Sequence, residues 1–151
     1  MGIHFDGEKR LFHLQTPSTS YVIQLIHDTI PVHLYWGRKL RPVALERLHR
    51  RVERHVTMPW PDGDRTVSFE TLLQEYPGYG TGDFRHPAYQ VQLADGTTAV
   101  ELLYASHRIF RGKPPLEGLP ATYVESDDEA ETLELVLANR VAGLKAVVRY
   151  T

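Results

Sequence analysis

The sequence predicts an all-β domain folded as a sandwich. Short stretches of alternating apolar and polar residues recur from end to end, and Gly, Pro, Asn and Asp interrupt them at close intervals. A single segment carries apolar residues at helical spacing. Alternation with a period of two turns one side-chain face toward a core. Frequent turn residues fold the chain back on itself, and the two together point to sheet packed on sheet.

Taken in order, Ile3–Asp6 and Arg10–Gln15 flank Asp6-Gly7, a hairpin signal. Ser20–Leu25 alternates with both faces partly apolar, and Val32–Trp36 alternates until Gly37 ends it. Residues 88–93 read as a half-buried strand with Tyr89, Val91 and Leu93 on one face. Asp95-Gly96 then turns the chain into Val100–Tyr104. Residues 106–111 and 121–125 read as further short strands, separated by Gly112-Lys113-Pro114-Pro115. Leu133, Leu135 and Leu137 alternate with Thr132, Glu134 and Val136, and Asn139–Gly143 turns this strand into a last one beginning at Leu144.

Two segments stand apart. From Val43 to Val56, Leu45, Leu48, Val52 and Val56 recur at helical spacing, while Arg47, Arg50, Arg51 and Arg54 form a separate stripe. Met58–Gly63 after it must be a loop, because neither Pro59 nor Pro61 fits a central strand. The other segment, Asp64–Gln90, breaks at Pro77-Gly78 and adds Gly80 and Gly82. Proline fixes φ and glycine permits positive φ, so this path is specified; Phe69, Tyr76, Tyr79, Phe84 and Tyr89 give it something to pack with.

Composition sets the bounds. A chain of 151 residues, 42% hydrophobic and 24% charged, has the size and balance of one globular domain. A net charge of −2 carries no overall bias toward nucleic acid or membrane. Seven basic and two acidic residues between Arg38 and Arg54 could track phosphates, but such a face is more often solvated, and no nucleic-acid partner is expected. Without cysteine there is no disulfide and no thiol chemistry. The polar N-terminus and lack of a long apolar run lead to a cytoplasmic expectation, with no membrane partner. Eight scattered histidines form no recognisable ligand pair, so no metal or other cofactor is expected. Gly78, Gly80 and Gly82 are not a phosphate loop, since no Lys-Ser or Lys-Thr follows them. Asp127-Asp128-Glu129 with Glu131 reads as a solvated turn, not as the facing carboxylate pair of a glycosidase.

The run Leu73–Arg85, LQEYPGYGTGDFR, resembles the N-terminal domain of the family 36 α-galactosidases. The resemblance continues through Ser106–Phe110, Gly112–Pro114, Gly118–Glu125 and Glu129–Glu134, and upstream through Phe12–Thr16, Ser20–Val22 and His33–Gly37. It implies a β-supersandwich with an irregular or short-helical excursion around residues 43–56. It implies that residues 1–151 form the N-terminal domain of a retaining α-galactosidase, with the catalytic (β/α)8 barrel and a C-terminal β-domain lying outside this chain. The family's two catalytic aspartates belong to the barrel, so no catalytic residue is expected here. The resemblance further implies a homotetramer in which the excursion reaches a neighbouring subunit's pocket. By spacing between Tyr35-Trp36-Gly37 and Asp64-Arg65-Thr66, its sugar-binding acid falls on Glu53, where the family usually has aspartate, and its arginine on Arg65; Trp60 is the stacking candidate. A carboxylate accepts paired hydroxyl hydrogen bonds, a guanidinium donates a rigid fork and an indole stacks on a sugar face. The alternative is a stand-alone, non-catalytic carbohydrate-binding sandwich using exposed aromatics such as Trp60 and Tyr79. Sugar binding by the chain alone separates the two.

Overall fold

Period-two patterning becomes two antiparallel sheets in the computed structural model, which describes residues 2–49, 63–80, 82–118, 120 and 122–151. Strands β1 (Gly2–Asp6), β2 (Leu11–Gln15), β3 (Thr19–Ile26) and β4 (Ile30–Arg38) lie side by side in chain order. Strands β5 (Leu103–Arg111), β6 (Glu131–Asn139) and β7 (Leu144–Tyr150) form the second sheet, also in chain order. The first hairpin closes through a longer loop than a two-residue Asp-Gly turn, because Asp6 pairs directly with Leu11. The Asp6 Oδ1 accepts the N–H groups of Glu8 and Lys9 at 3.1 and 3.0 Å, and Arg10 completes the turn at φ 53°. Between β3 and β4 the turn is tighter. His27 and Asp28 both adopt positive φ, and Thr29 N–H donates to Ile26 O at 3.1 Å, the mirror-image turn that suits strand twist.

The first sheet is covered on both faces. Its inner face presents Phe5, Phe12, Leu14, Tyr21, Ile23 and Leu25 to Leu133, Leu135, Val148 and Tyr150 of the second sheet, which makes the sandwich core. On its outer face, Ile26, Ile30 and Val32 pack under Val67, Phe69 and Leu72. Leu11 and Val22 pack there under Leu45. Buried His13 shares a 2.8 Å hydrogen bond with Ser20 Oγ, which also accepts Leu40 N–H at 2.9 Å. That relay brings the chain leaving β4 back over the outer face.

One irregularity sets which residues face the core. Val22 pairs with Tyr35 but Ile23 pairs with His33, so Leu34 is a bulge residue inserted into β4. Below the bulge His33 shares a face with Ile23; above it Trp36 shares a face with Tyr21.

Two expected strands do not form. Residues 88–93 keep the predicted alternation of burial but pair with no strand among the described residues. Their bonds close local loops instead: Ala88 N–H donates to Pro77 O at 2.9 Å and Leu93 N–H to Thr97 O at 2.8 Å. Tyr89 contributes through its side chain, its hydroxyl donating to Val100 O and accepting Leu102 N–H. Within 121–125 the described residues are irregular and mostly exposed, following Pro120, with Thr122 Oγ1 accepting from Lys113 Nζ. The helical periodicity of 43–56 yields a short 3₁₀ turn at Leu45–Leu48, which buries Leu45; residues 50–62 lie outside the described structure.

Candidate functional site

Of the three residues assigned to sugar contact, Glu53 and Trp60 lie outside the described residues. Arg65 is described, and it is exposed on a turn fixed from both sides. Asp64 Oδ1 accepts Thr66 N–H at 2.8 Å and Thr66 Oγ1–H at 2.6 Å, and Asp64 Oδ2 lies 3.2 Å from His27 Nε2. Val67 N–H donates to Asp64 O at 3.1 Å, and the Val67 side chain is fully buried beneath. Arg65 thus stands at the surface on a turn held by the Asp64 hydrogen bonds and the buried Val67 side chain.

The glycine-rich segment beyond it is equally determined. Asp83 is buried, and its two oxygens take the Arg85 Nε at 2.8 Å and Nη2 at 2.6 Å. The same Nη2 also donates to Leu72 O and to Phe69 O, so one guanidinium ties the loop to the core beneath. Arg85 holds the Asp83 carboxyl below its ordinary range by direct hydrogen bonding. Phe84, between these two anchored residues, is 90% exposed. Gly78 sits where a side chain has no room, since an added Cβ would stand 2.8 Å from Val100 O.

A third cluster joins the layers. Glu75 accepts the Tyr21 hydroxyl at 2.7 Å and the Tyr150 hydroxyl at 2.5 Å, and His33 Nδ1 lies 3.5 Å away. Its backbone N–H donates to Pro31 O at 2.9 Å, so the segment pairs alongside the edge of β4, where Gln74 bridges Val32. Burial first, then the Glu75 carboxylate, raises both phenols above the ordinary tyrosine range. Sequence reasoning placed these tyrosines on strands and did not join them to Glu75; no local motif links residues 54 and 75 positions apart.

On the second sheet's outer face, Glu134 binds Arg108 Nε at 2.7 Å and Arg149 Nε at 2.8 Å. Those hydrogen bonds, Arg108's first, hold its carboxyl down to about 2. The Asp127–Glu129 acids form an exposed 3₁₀ turn, with Asp128 paired to Arg111 at 2.9 Å, as expected of a solvated turn. Among the described residues no three His, Asp or Glu side chains gather as a metal site.

Fold and loops together define a β-sandwich module whose anchored surface loops present aromatic and basic groups. Residues 29–151 match the glycosyl hydrolase family 36 N-terminal domain, and the chain belongs to that family. It is 49% identical over 152 residues to alpha-galactosidase AgaA of Geobacillus stearothermophilus, covering 100% of this chain and 21% of that protein. The crystal structure of the GH36 alpha-galactosidase AgaB from the same organism superposes with a TM-score of 0.90 at 46% identity, over 99% of this chain and 20% of that one. A variant of AgaA crystallised with raffinose gives a TM-score of 0.85 at 50% identity, over 93% of this chain and 20% of that one. The chain thus spans about a fifth of the length of these relatives.

Proposed function

We propose that this chain serves as the N-terminal domain of an α-galactosidase, a retaining hydrolase of terminal α-D-galactosyl residues in melibiose- and raffinose-type sugars. The observation that carries this is the match of the whole fold, with a TM-score of 0.90, to one fifth of AgaB. The domain itself is non-catalytic. It packs on a catalytic barrel, builds subunit contacts in a cytoplasmic homotetramer, and lends Glu53, Arg65 and Trp60 to a neighbour's pocket. Support for the Arg65 role is the pinned, exposed turn that carries it.

The test is a chimera in which this chain replaces the matching fifth of AgaA. Raffinose hydrolysis is retained, and the 151-residue chain alone hydrolyses nothing. Arg65→Ala in the chimera lowers kcat/KM about ten-fold or more, the worth of one charged hydrogen bond. Unchanged kinetics would remove Arg65 from the pocket; turnover by the chain alone would end the non-catalytic reading. The second reading, a sugar-binding sandwich, is favoured by a specific cleft described next.

A further inference from the structure

The inner face of the first sheet does not close completely. Ile3, Leu14, Tyr21 and Trp36 stand in one cross-strand row, each paired in register with the next. The row forms the floor of a cleft of about 380 Å³ at the open end of the sandwich, faced by Glu131 and Tyr150 of the second sheet. Its floor passes from the half-buried Ile3 and Leu14 to Trp36, which is 75% exposed. Its rim carries Thr16 and Thr19. Tyr21 and Tyr150 are held rigid by their hydrogen bonds to Glu75, with their rings 5.8 Å apart. Glu131 Oε2 accepts Ile3 N–H at 2.7 Å, which fixes the carboxylate across the gap between sheets and commits only one of its oxygens.

We propose that this cleft is a binding site for a neutral pyranoside, separate from the Arg65 turn. The chemistry selects that class. A flat indole at the mouth suits the C–H face of a pyranose ring. A fixed carboxylate accepts from vicinal hydroxyls, and Thr16 and Thr19, whose hydroxyls share one 2.6 Å hydrogen bond, keep one O–H donor between them for the ligand. Arg149 also lines the cleft but its Nε is committed to Glu134 at 2.8 Å, so an anion would meet the Glu131 carboxylate with no uncommitted partner for its charge at that nitrogen, and a purely apolar ligand would strand the carboxylate without water. The volume falls at the lower end of the roughly 300–1,000 Å³ of small-molecule sites, enough for one or two sugar rings. Choosing a galactoside among neutral sugars rests on the proposed α-galactosidase membership; the site itself does not.

The experiment titrates the isotope-labelled 151-residue chain with raffinose and follows backbone amides and indole N–H groups by NMR. Saturable shifts centre on Trp36, Thr19, Glu131 and Tyr150. Trp36→Ala, an exposed position whose loss leaves the spectrum folded, weakens binding about ten-fold or more. Glu131→Gln, which can still accept Ile3 N–H, weakens it as well, while Phe84→Ala, at an exposed aromatic that does not line the cleft, leaves it unchanged. No saturable shift, or equal affinity in Trp36→Ala, overturns the site. Shifts confined to the Arg65 turn and lost in Arg65→Ala overturn it in favour of the loop as the sugar contact. The same shifts with spermidine or sulfate overturn the neutral-sugar assignment. None of these results changes whether the chimera hydrolyses raffinose, so the two proposals fail separately.

Discussion

Removing the Glu75 carboxylate tests how the layers are joined. Glu75 is contributed by the loop after the outer-face cover, Tyr21 by β3 and Tyr150 by β7, so one side chain bonds to both sheets. Glu75→Ala leaves two phenol hydroxyls without their acceptor in a half-buried site. An orphaned polar group costs about 1–3 kcal/mol, and water reaches part of this site, so about 3 kcal/mol is expected for the pair. For a domain of this length that lowers Tm by about 6–12 °C. Glu75→Gln keeps the shape and one acceptor oxygen but loses the charge, and costs about 1–2 kcal/mol. Urea unfolding followed by far-UV circular dichroism gives both values. Adding Tyr150→Phe on the Glu75→Ala background should then cost far less than Tyr150→Phe alone, because the bond it removes is already gone. A Glu75→Ala protein within about 0.5 kcal/mol of the parent, or fully additive Tyr150→Phe, would refute the joint.

Two further outcomes follow from packing and charge. Gly78→Ala pushes a methyl group against the Val100 carbonyl and the Tyr89 ring, and backbone cannot give way. A loss of about 1–3 kcal/mol in the same unfolding assay is expected, with faster proteolysis between Pro77 and Ala88. Glu134 has its carboxyl lowered from 4.5 to about 2 in the fold, so its contribution is present above 4.5 and is lost as pH falls toward 2. Glu134→Gln should therefore lower Tm at neutral pH and flatten the fall in Tm between these values; an unchanged slope would show that the Arg108 and Arg149 contacts do not persist in solution.

Period-two patterning was enough to place β1 to β4, β6 and β7, because each buries at least one face and the alternation records that burial. It failed at residues 88–93 for an instructive reason. Tyr89, Val91 and Leu93 are the more buried face, as the pattern says, yet the segment satisfies its backbone through loop closures and not through a ladder. Alternation reports exposure; it does not report a pairing partner. The tight turn at His27-Asp28 carried no glycine to announce it. Resemblance assigned a sugar contact to Arg65, and in the structure that residue stands on a turn held by Asp64, Thr66 and buried Val67. The Trp36 cleft was invisible for a different reason. It arises from a row of residues on four strands, and a row across strands has no signature along the chain.

The inserted Leu34 in β4 has a consequence for how this chain can change. In a ladder, odd and even positions are opposite sides of a wall, and one extra residue exchanges them for everything downstream until the strand ends. With the insertion, Trp36 stands above Tyr21 on the side that looks toward β7, and Tyr35 stands beside Val22 on the other. Excising that single leucine would restore a regular ladder, which local energetics favour. It would leave Tyr35 opposite Val22 and Trp36 opposite Tyr21, because the bulge already absorbs the extra residue without disturbing the pairs on either side of it. Loss of Leu34 itself therefore keeps Trp36 over the cleft, whereas a one-residue change of length elsewhere in β4, with no bulge to absorb it, would exchange the two faces of the upper strand.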